Sequence, residues 1–145
     1  MTEITRLHDA DRVRWDALWL GYLTFYKTSE PASVYDQLWR RIQTGERVFA
    51  FGARVDGKLI GIAHYLFLAN VRGADACYLN DLFVDPDLRG IGAGRLLIEA
   101  VAAEAKAHGC SRYYWQTHET NIVARQLYDR LAKFHGFIRY DYPLS

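Results

Sequence analysis

Apolar and polar residues change their spacing several times along the chain, and each change marks an element. Glu3 to His8 alternates as a short strand. Asp9 is placed to cap a helix, with Val13, Ala17 and Leu20 at helical spacing. Ser29 to Pro31 interrupt it. Ser33 is placed to cap a second helix, with Val34, Leu38 and Ile42 on one face and Gly45 at its end. RVFAFGARV and KLIGIAHYLFLAN flank Asp56-Gly57, a pair suited to a two-residue hairpin because both residues tolerate positive φ. The turn Arg72 to Asp75 leads into the strand ACYLNDLFV. Asp85-Pro86 ends that strand, since proline donates nothing to a ladder.

The second half alternates strand and helix. Ala93, Leu96, Leu97, Ala100, Val101 and Ala105 form one apolar helical face, and Gly109 is a natural stop. Arg112 to Thr117 reads as a strand, a last helix starts around Thr120-Asn121, and GFIRYDYPL closes as a strand. The order is β-α-α-β-β-β-α-β-α-β. It predicts an α/β (α+β) fold with a mixed, mostly antiparallel central sheet flanked by helices, in one domain over residues 1–145.

Composition narrows the function classes. The 145 residues carry a formal net charge of +1, so no general attraction to nucleic acid or acidic lipid is implied. No signal-peptide core opens the chain and no apolar run is long enough for a membrane span. Cys77 and Cys110 lack metal-type spacing and read as reduced thiols of a cytoplasmic protein. No metal is implied. The aromatic-rich hairpin and the C-terminal strand are candidate homodimer surfaces.

Chemistry concentrates in LNDLFVDPDLRGIGAGRLLIEAV, which places Gly90, Gly92 and Gly94 within five residues between strand and helix. A Walker loop needs Gly-Lys-Ser/Thr, but Gly94 is followed by Arg95-Leu96. A dinucleotide fingerprint fails at Arg95 counted from Gly90, and at Leu97 counted from Gly92. RGIGAG does fit a third design, Arg/Gln-x-x-Gly-x-Gly/Ala. Glycines there let successive N–H groups converge on an anion at a helix start. Arg89 and Arg95 add full charges.

RGIGAG, the strand and Asp-Pro turn before it, and NIVARQLYDRLAKFHGF together resemble the GNAT superfamily of acyl-CoA N-acyltransferases. The resemblance covers most of the chain and is strongest from Tyr78 to Phe137. Within the superfamily it is closest to the diamine acetyltransferase group and to small relatives acting on histone tails or free amino acids. It implies acetyl transfer from acetyl-CoA to a primary amine of a small molecule or peptide, by direct attack in a ternary complex. A non-catalytic acyl-CoA sensor and a transferase of longer acyl chains are the alternatives.

The resemblance also implies residue roles. Arg89, Gly90, Ile91, Gly92, Ala93, Gly94 and Arg95 would cradle the pyrophosphate. Leu82, Phe83 and Val84 would offer backbone groups to pantetheine, with the Leu82 N–H polarising the thioester carbonyl. Tyr128 would protonate the departing thiolate, and Asn121 would hydrogen-bond the cofactor. Diamine acetyltransferases carry a Glu-Asp pair on the strand before the loop; this chain has Asn80-Asp81, so of that pair Asp81 alone remains as a candidate base. Strict alternation puts those two residues on opposite faces unless a bulge intervenes. Glu119 and His118 are alternative bases, and a water chain is another. Tyr22, Tyr26 and Glu30 would line the acceptor side as an aromatic wall with one acid, with Asn80 and Glu119 nearby.

Overall fold

The computed structural model describes residues 1–145. Strand β1 (Thr2–Thr5) is followed by helices α1 (Arg12–Phe25) and α2 (Ala32–Thr44), and then by strands β2 (Phe49–Val55), β3 (Lys58–Asn70) and β4 (Gly73–Val84). Helix α3 (Ala93–His108), strand β5 (Arg112–Tyr114) and helix α4 (Ile122–Leu131) complete the regular elements. The sheet runs β1-β2-β3-β4-β5; β1 to β4 are antiparallel, and β5 joins β4 in parallel after the α3 crossover. Asp56 (φ 51°) and Gly57 (φ 79°) make the β2–β3 turn with the two positive φ values its sequence predicts.

Two cores cover the two faces. Under α3, Leu97, Ile98, Val101 and Ala105 pack on Ile60, Ala63, Tyr65, Cys77 and Leu79. Under α1 and α2, Trp15, Leu18, Trp19, Leu23 and Trp39 pack on Leu59, Ile62 and Phe83. The α1 face is therefore not the predicted one. Val13 (82% exposed) and Leu20 (55%) face solvent with Ala17. The helix carries two apolar stripes, and the one with two tryptophans wins because it removes far more apolar surface from water. Gly21 lets α1 lie on β4: a Cβ there would sit 2.8 Å from the Phe83 ring. Arg14 fastens the same helix, donating to the Leu59 carbonyl (2.8 Å) and to Asp85 (2.6 Å).

At one point in the ladder β4 carries one residue more than β3. Tyr65 pairs with Leu79 and His64 with Asp81, so Asn80 is a bulge. Leu79 therefore belongs to the α3 core while Asp81 and Phe83 lie on the α1 side, an exchange of faces that simple alternation forbids.

Several boundaries differ from the pattern reading: α1 starts after Asp11 rather than Asp9, and α2 starts after Pro31, with Ser33 already inside it. The first strand stops at Thr5, before the helical turn at Asp9–Asp11. The strand expected over Arg112 to Thr117 ends at Tyr114, after only three pairs with β4. The closing strand does not form: nothing beyond Leu131 belongs to a regular element, since an alternating segment becomes a strand only when a ladder receives it.

Candidate active site

The sheet splits where β5 stops. β4 continues from Leu79 to Val84 without a strand on that side, and α4 stands across the gap. A small pocket fills the split, lined by Tyr22, Tyr26, Leu79, Asn80, Leu82, Trp115, Gln116 and Tyr128. Five of these are residues singled out in the sequence: Tyr22, Tyr26, Asn80, Leu82 and Tyr128. No lining side chain carries a charge.

One wall is an aromatic ladder along α1. Trp15 stacks on Trp19 (centroids 6.3 Å), Trp19 on Tyr22 (5.1 Å), and Tyr22 meets Tyr26 at 4.8 Å. The spacing 15, 19, 22, 26 repeats along one helical face, so these rings stack as a consequence of sequence order. His118 extends the row, 5.7 Å from Tyr26. The opposite wall is α4. Tyr128 meets Trp115 edge to face at 5.4 Å, and burial, helped by Tyr26, pushes its hydroxyl up to about 12. Its proton stays on throughout the physiological range.

Behind Tyr22 lies a buried polar chain. The Trp15 indole N–H donates to His64 Nε2 (3.0 Å), and His64 Nδ1 lies 2.9 Å from Asp81 Oδ2. An indole N–H can only donate, so Nε2 must accept and Nδ1 must carry the ring proton toward the carboxylate. Trp15, His64 and Asp81 are all buried. Asp81 does not itself line the pocket. Tyr22 stands between, its hydroxyl pushed far up by burial and by the neighbouring Asp81 charge. Trp15 and His64 escaped the sequence reading. A lone ionisable residue inside the apolar run LIGIAHYLF was the available signal.

The glycine loop follows β4. Asp85 accepts from the Asp87 N–H (3.0 Å) in a short helical turn, and Gly90 (φ 86°) and Gly92 (φ 85°) are left-handed. A Cβ at either glycine would meet nothing within 4 Å, so φ alone demands glycine and the space above them is open. The first bond of α3 runs from the Leu96 N–H to the Gly92 carbonyl (3.1 Å). The amides of Ala93, Gly94 and Arg95 thus have no partner in the chain, as at any helix start. Gly94 approaches α4 at Leu127, so the loop adjoins the Tyr128 helix. Arg89 and Ile91 are exposed; Arg89 reaches back to the Val84 carbonyl (3.4 Å), and Arg95 pairs with Glu99 (2.7 Å).

Other expected residues lie apart from the pocket lining. Glu30, beyond α1, and Glu119, before α4, are both exposed. Asn121 precedes α4 and donates to Thr117 Oγ1 (2.9 Å). Phe83 is buried against α1, and Val84 packs under α3.

A sheet split after a bulge, with a left-handed glycine loop at the end of the split strand, is a fold with known relatives. The sequence profile of the Acetyltransferase (GNAT) family matches residues 13–134, and the chain belongs to this family of N-acetyltransferases. It is 34% identical over 134 residues to the D-amino-acid N-acetyltransferase HPA3 of Saccharomyces cerevisiae, covering 89% of this chain and 83% of that protein. It is 33% identical over 74 residues to the thialysine N-epsilon-acetyltransferase of Sus scrofa, covering 51% of this chain and 44% of that one. The fold also matches a solved aminoglycoside N-acetyltransferase AAC(6')-Iy in complex with CoA (TM-score 0.87, 18% identity), over 100% of this chain and 96% of that one.

Proposed function

We propose that the chain, acting as one domain over residues 1–145, moves an acetyl group from acetyl-CoA to the primary amine of a small acceptor: a small amine, an amino acid or a lysine-like group. The observation that carries this reading is the pocket in the β4–β5 split, which has Tyr22 and Tyr26 on one wall and Tyr128 on the other. The named substrates of the yeast and pig relatives, D-amino acids and thialysine, support an acceptor that is itself amino-acid-like. Free thiols at Cys77 and Cys110 agree with a reducing, cytoplasmic setting.

Acetyl-CoA supplies the activated acyl group as a thioester. The open space over Gly90 and Gly92, with the unpartnered amides of Ala93 to Arg95, fits its pyrophosphate. Arg89, Ile91 and Arg95 complete that cradle, and Asn121 assists it from the start of α4. The strand-free side of Leu82, Phe83 and Val84 fits the pantetheine arm, with the Leu82 N–H as donor to the carbonyl oxygen.

Proton traffic follows from burial. A free alkyl amine has a pKa near that of lysine, about 10.4, so it must shed a proton before attack. Asp81 is the base in this reading. Tyr22 stands between it and the pocket, so the proton passes through the Tyr22 hydroxyl or a water beside it. His64, held in one tautomer by Trp15, keeps the carboxylate oriented. Tyr128, protonated at neutral pH, returns a proton to the leaving thiolate. The ring faces of Tyr22 and Tyr26 favour a cationic acceptor as it arrives. Asn80 lines the pocket beside the tyrosines, whereas Glu30 and Glu119 would act only on the acceptor's outer parts.

The test is thiol release from acetyl-CoA over a panel of amines: amino acids of both hands, lysine analogues, polyamines, histone-tail peptides and aminoglycosides. Longer acyl-CoAs are run beside it. Transfer to a primary amine supports the reading. Tight CoA binding with no transfer to any amine would make the protein a sensor instead.

A further inference from the structure

The pocket in the β4–β5 split has no charge of its own. An amino acid, one of the acceptors proposed above, brings two charges at neutral pH. Its ammonium meets the ring faces of Tyr22 and Tyr26 and is discharged before attack. Nothing in the lining answers its carboxylate. A carboxylate taken from water without a partner is costly, so an acid-bearing acceptor needs a cation at the rim.

One cation bonds to a lining side chain. Arg139, in the segment after α4, donates from Nη1 to Gln116 Oε1 at 3.2 Å, and Gln116 lines the pocket. The other arginines of this end are engaged elsewhere. Arg125 donates to the Glu119 carbonyl (2.8 Å), and Arg112 lies over the Tyr114 ring (5.0 Å). The charge of Arg139 also reaches the pocket surroundings. Burial, with Tyr114 and Asp81, pushes the Tyr78 hydroxyl up; Arg139 opposes that rise and Tyr26 adds to it. Tyr78 thus senses Arg139, Asp81 and Tyr26 together.

The free edge of this guanidinium already holds a carboxylate. Nε and Nη2 face Asp141, at 3.1 Å from Nε to Oδ1 and 3.2 Å from Nη2 to Oδ2. Both side chains are mostly exposed, 64% and 74%, and the contacts are longer than the 2.7–2.9 Å or so of a tight charged pair. Such a surface pair is worth little, so a second carboxylate can take its place cheaply. With Nη1 held by Gln116, the fork keeps two parallel donors for that purpose.

We propose that Arg139 is a specificity-determining residue of the acceptor site: its guanidinium takes the free carboxylate of an amino-acid acceptor, in exchange for Asp141, while the amine enters between Tyr22 and Tyr128. Asp141 is a tethered stand-in that holds the fork open for its ligand. The acceptor class narrows to free amino acids. A simple amine offers Arg139 nothing, and a polyamine is repelled by it. This inference rests on the transferase reading above and deepens it.

The experiment measures kcat/KM for matched acceptors, lysine against lysinamide and D-alanine against D-alaninamide. It compares wild type with Arg139→Gln, Arg139→Lys and Asp141→Asn. Each amide keeps the amine and side chain and loses the carboxylate. Comparing the acid-to-amide ratio between proteins cancels the different amine pKa values within a pair. The ratio should fall about 10–100-fold in Arg139→Gln, chiefly through KM, as a charge-assisted fork is lost. Arg139→Lys should keep part of it, as a point charge without the fork. Asp141→Asn should raise the ratio about 2–5-fold, because the tethered competitor is gone. An unchanged ratio in Arg139→Gln overturns the inference. So does a ratio that falls equally in Asp141→Asn, since the pair would then only order the segment. Transfer to amines with an unmoved ratio leaves the transferase reading standing, whereas no transfer to any amine defeats both.

Discussion

The indole N–H of Trp15 ends on Nε2 of His64, 3.0 Å away, and so decides which nitrogen of that buried ring carries the proton. The other nitrogen then faces Asp81 as a donor. Trp15→Phe removes that decision. Without the indole donor the ring is free to adopt the other tautomer, with its proton on Nε2 and a bare Nδ1 lone pair facing the Asp81 carboxylate. We expect kcat/KM to fall, on top of a stability loss of about 1–3 kcal/mol for an unpaired buried acceptor. Steady-state kinetics and thermal unfolding check it. A stability loss with unchanged kcat/KM would mean that Trp15 only packs.

Asp81→Asn keeps an oxygen for His64 Nδ1–H but removes the carboxylate proposed as the base. The rate should drop by about 10²–10⁴ at neutral pH and by less at high pH, where the amine has already lost its proton. Steady-state kinetics from neutral to alkaline pH measure this. A pH-independent deficit makes Asp81 a positioning residue.

Tyr128→Phe should lower kcat by about 10²-fold or more while acetyl-CoA affinity stays near wild type. Burial raises the folded-state value of this hydroxyl to about 12, so the acid form persists until pH passes that value. The wild-type kcat should therefore show no falling limb from Tyr128 up to about pH 10, where an ordinary tyrosine would begin to ionise. An alkaline limb that disappears in the Phe variant would contradict the raised value.

Gly92→Val should abolish acetyl-CoA binding in calorimetry. A Cβ at this position meets no heavy atom within 4 Å, so the folding cost comes chiefly from the left-handed φ of 85°, of the order of 1–2 kcal/mol. Ordinary binding by a folded Gly92→Val protein would remove the loop from the cofactor site.

Acid should weaken the fold through Asp11, which accepts two hydrogen bonds from Arg54, at 2.8 and 2.6 Å. These hold its carboxyl below the usual range. A lowered folded-state value contributes stability above the unfolded value of about 3.9, and loses it as pH falls through the folded one. The thermal midpoint should be flat above about pH 5 and decline below about pH 4. In Asp11→Asn it should start lower and depend less on acid. Unfolding scans at several pH values report it.

The glycine loop, the Asp56-Gly57 hairpin and the pocket residues Tyr22, Tyr26, Asn80, Leu82 and Tyr128 were legible in the sequence. Each rests on local chemistry: a φ only glycine adopts readily, or a motif with fixed spacing. What escaped depends on partners distant in sequence. The α1 stripe could not be chosen by period, because Val13, Ala17 and Leu20 repeat as regularly as Trp15, Leu18 and Trp19; ring size decided it. His64 found its role through Trp15, 49 positions away. The tail alternates like a strand but forms none, because pattern cannot say whether a ladder stands beside it.

Asn80 has a broader consequence. The surplus residue works as a parity switch along β4. Before it, the odd-numbered positions Cys77 and Leu79 sit in the α3 layer; after it, the odd-numbered Asp81 and Phe83 sit in the α1 layer, and the even-numbered Leu82 and Val84 take over beneath α3. Any tally of tolerated substitutions down this strand should thus change phase midway. A redesign that regularised the strand by restoring unbroken alternation would send Asp81 to the wrong side of the sheet, leaving a sounder ladder and an empty place beside His64.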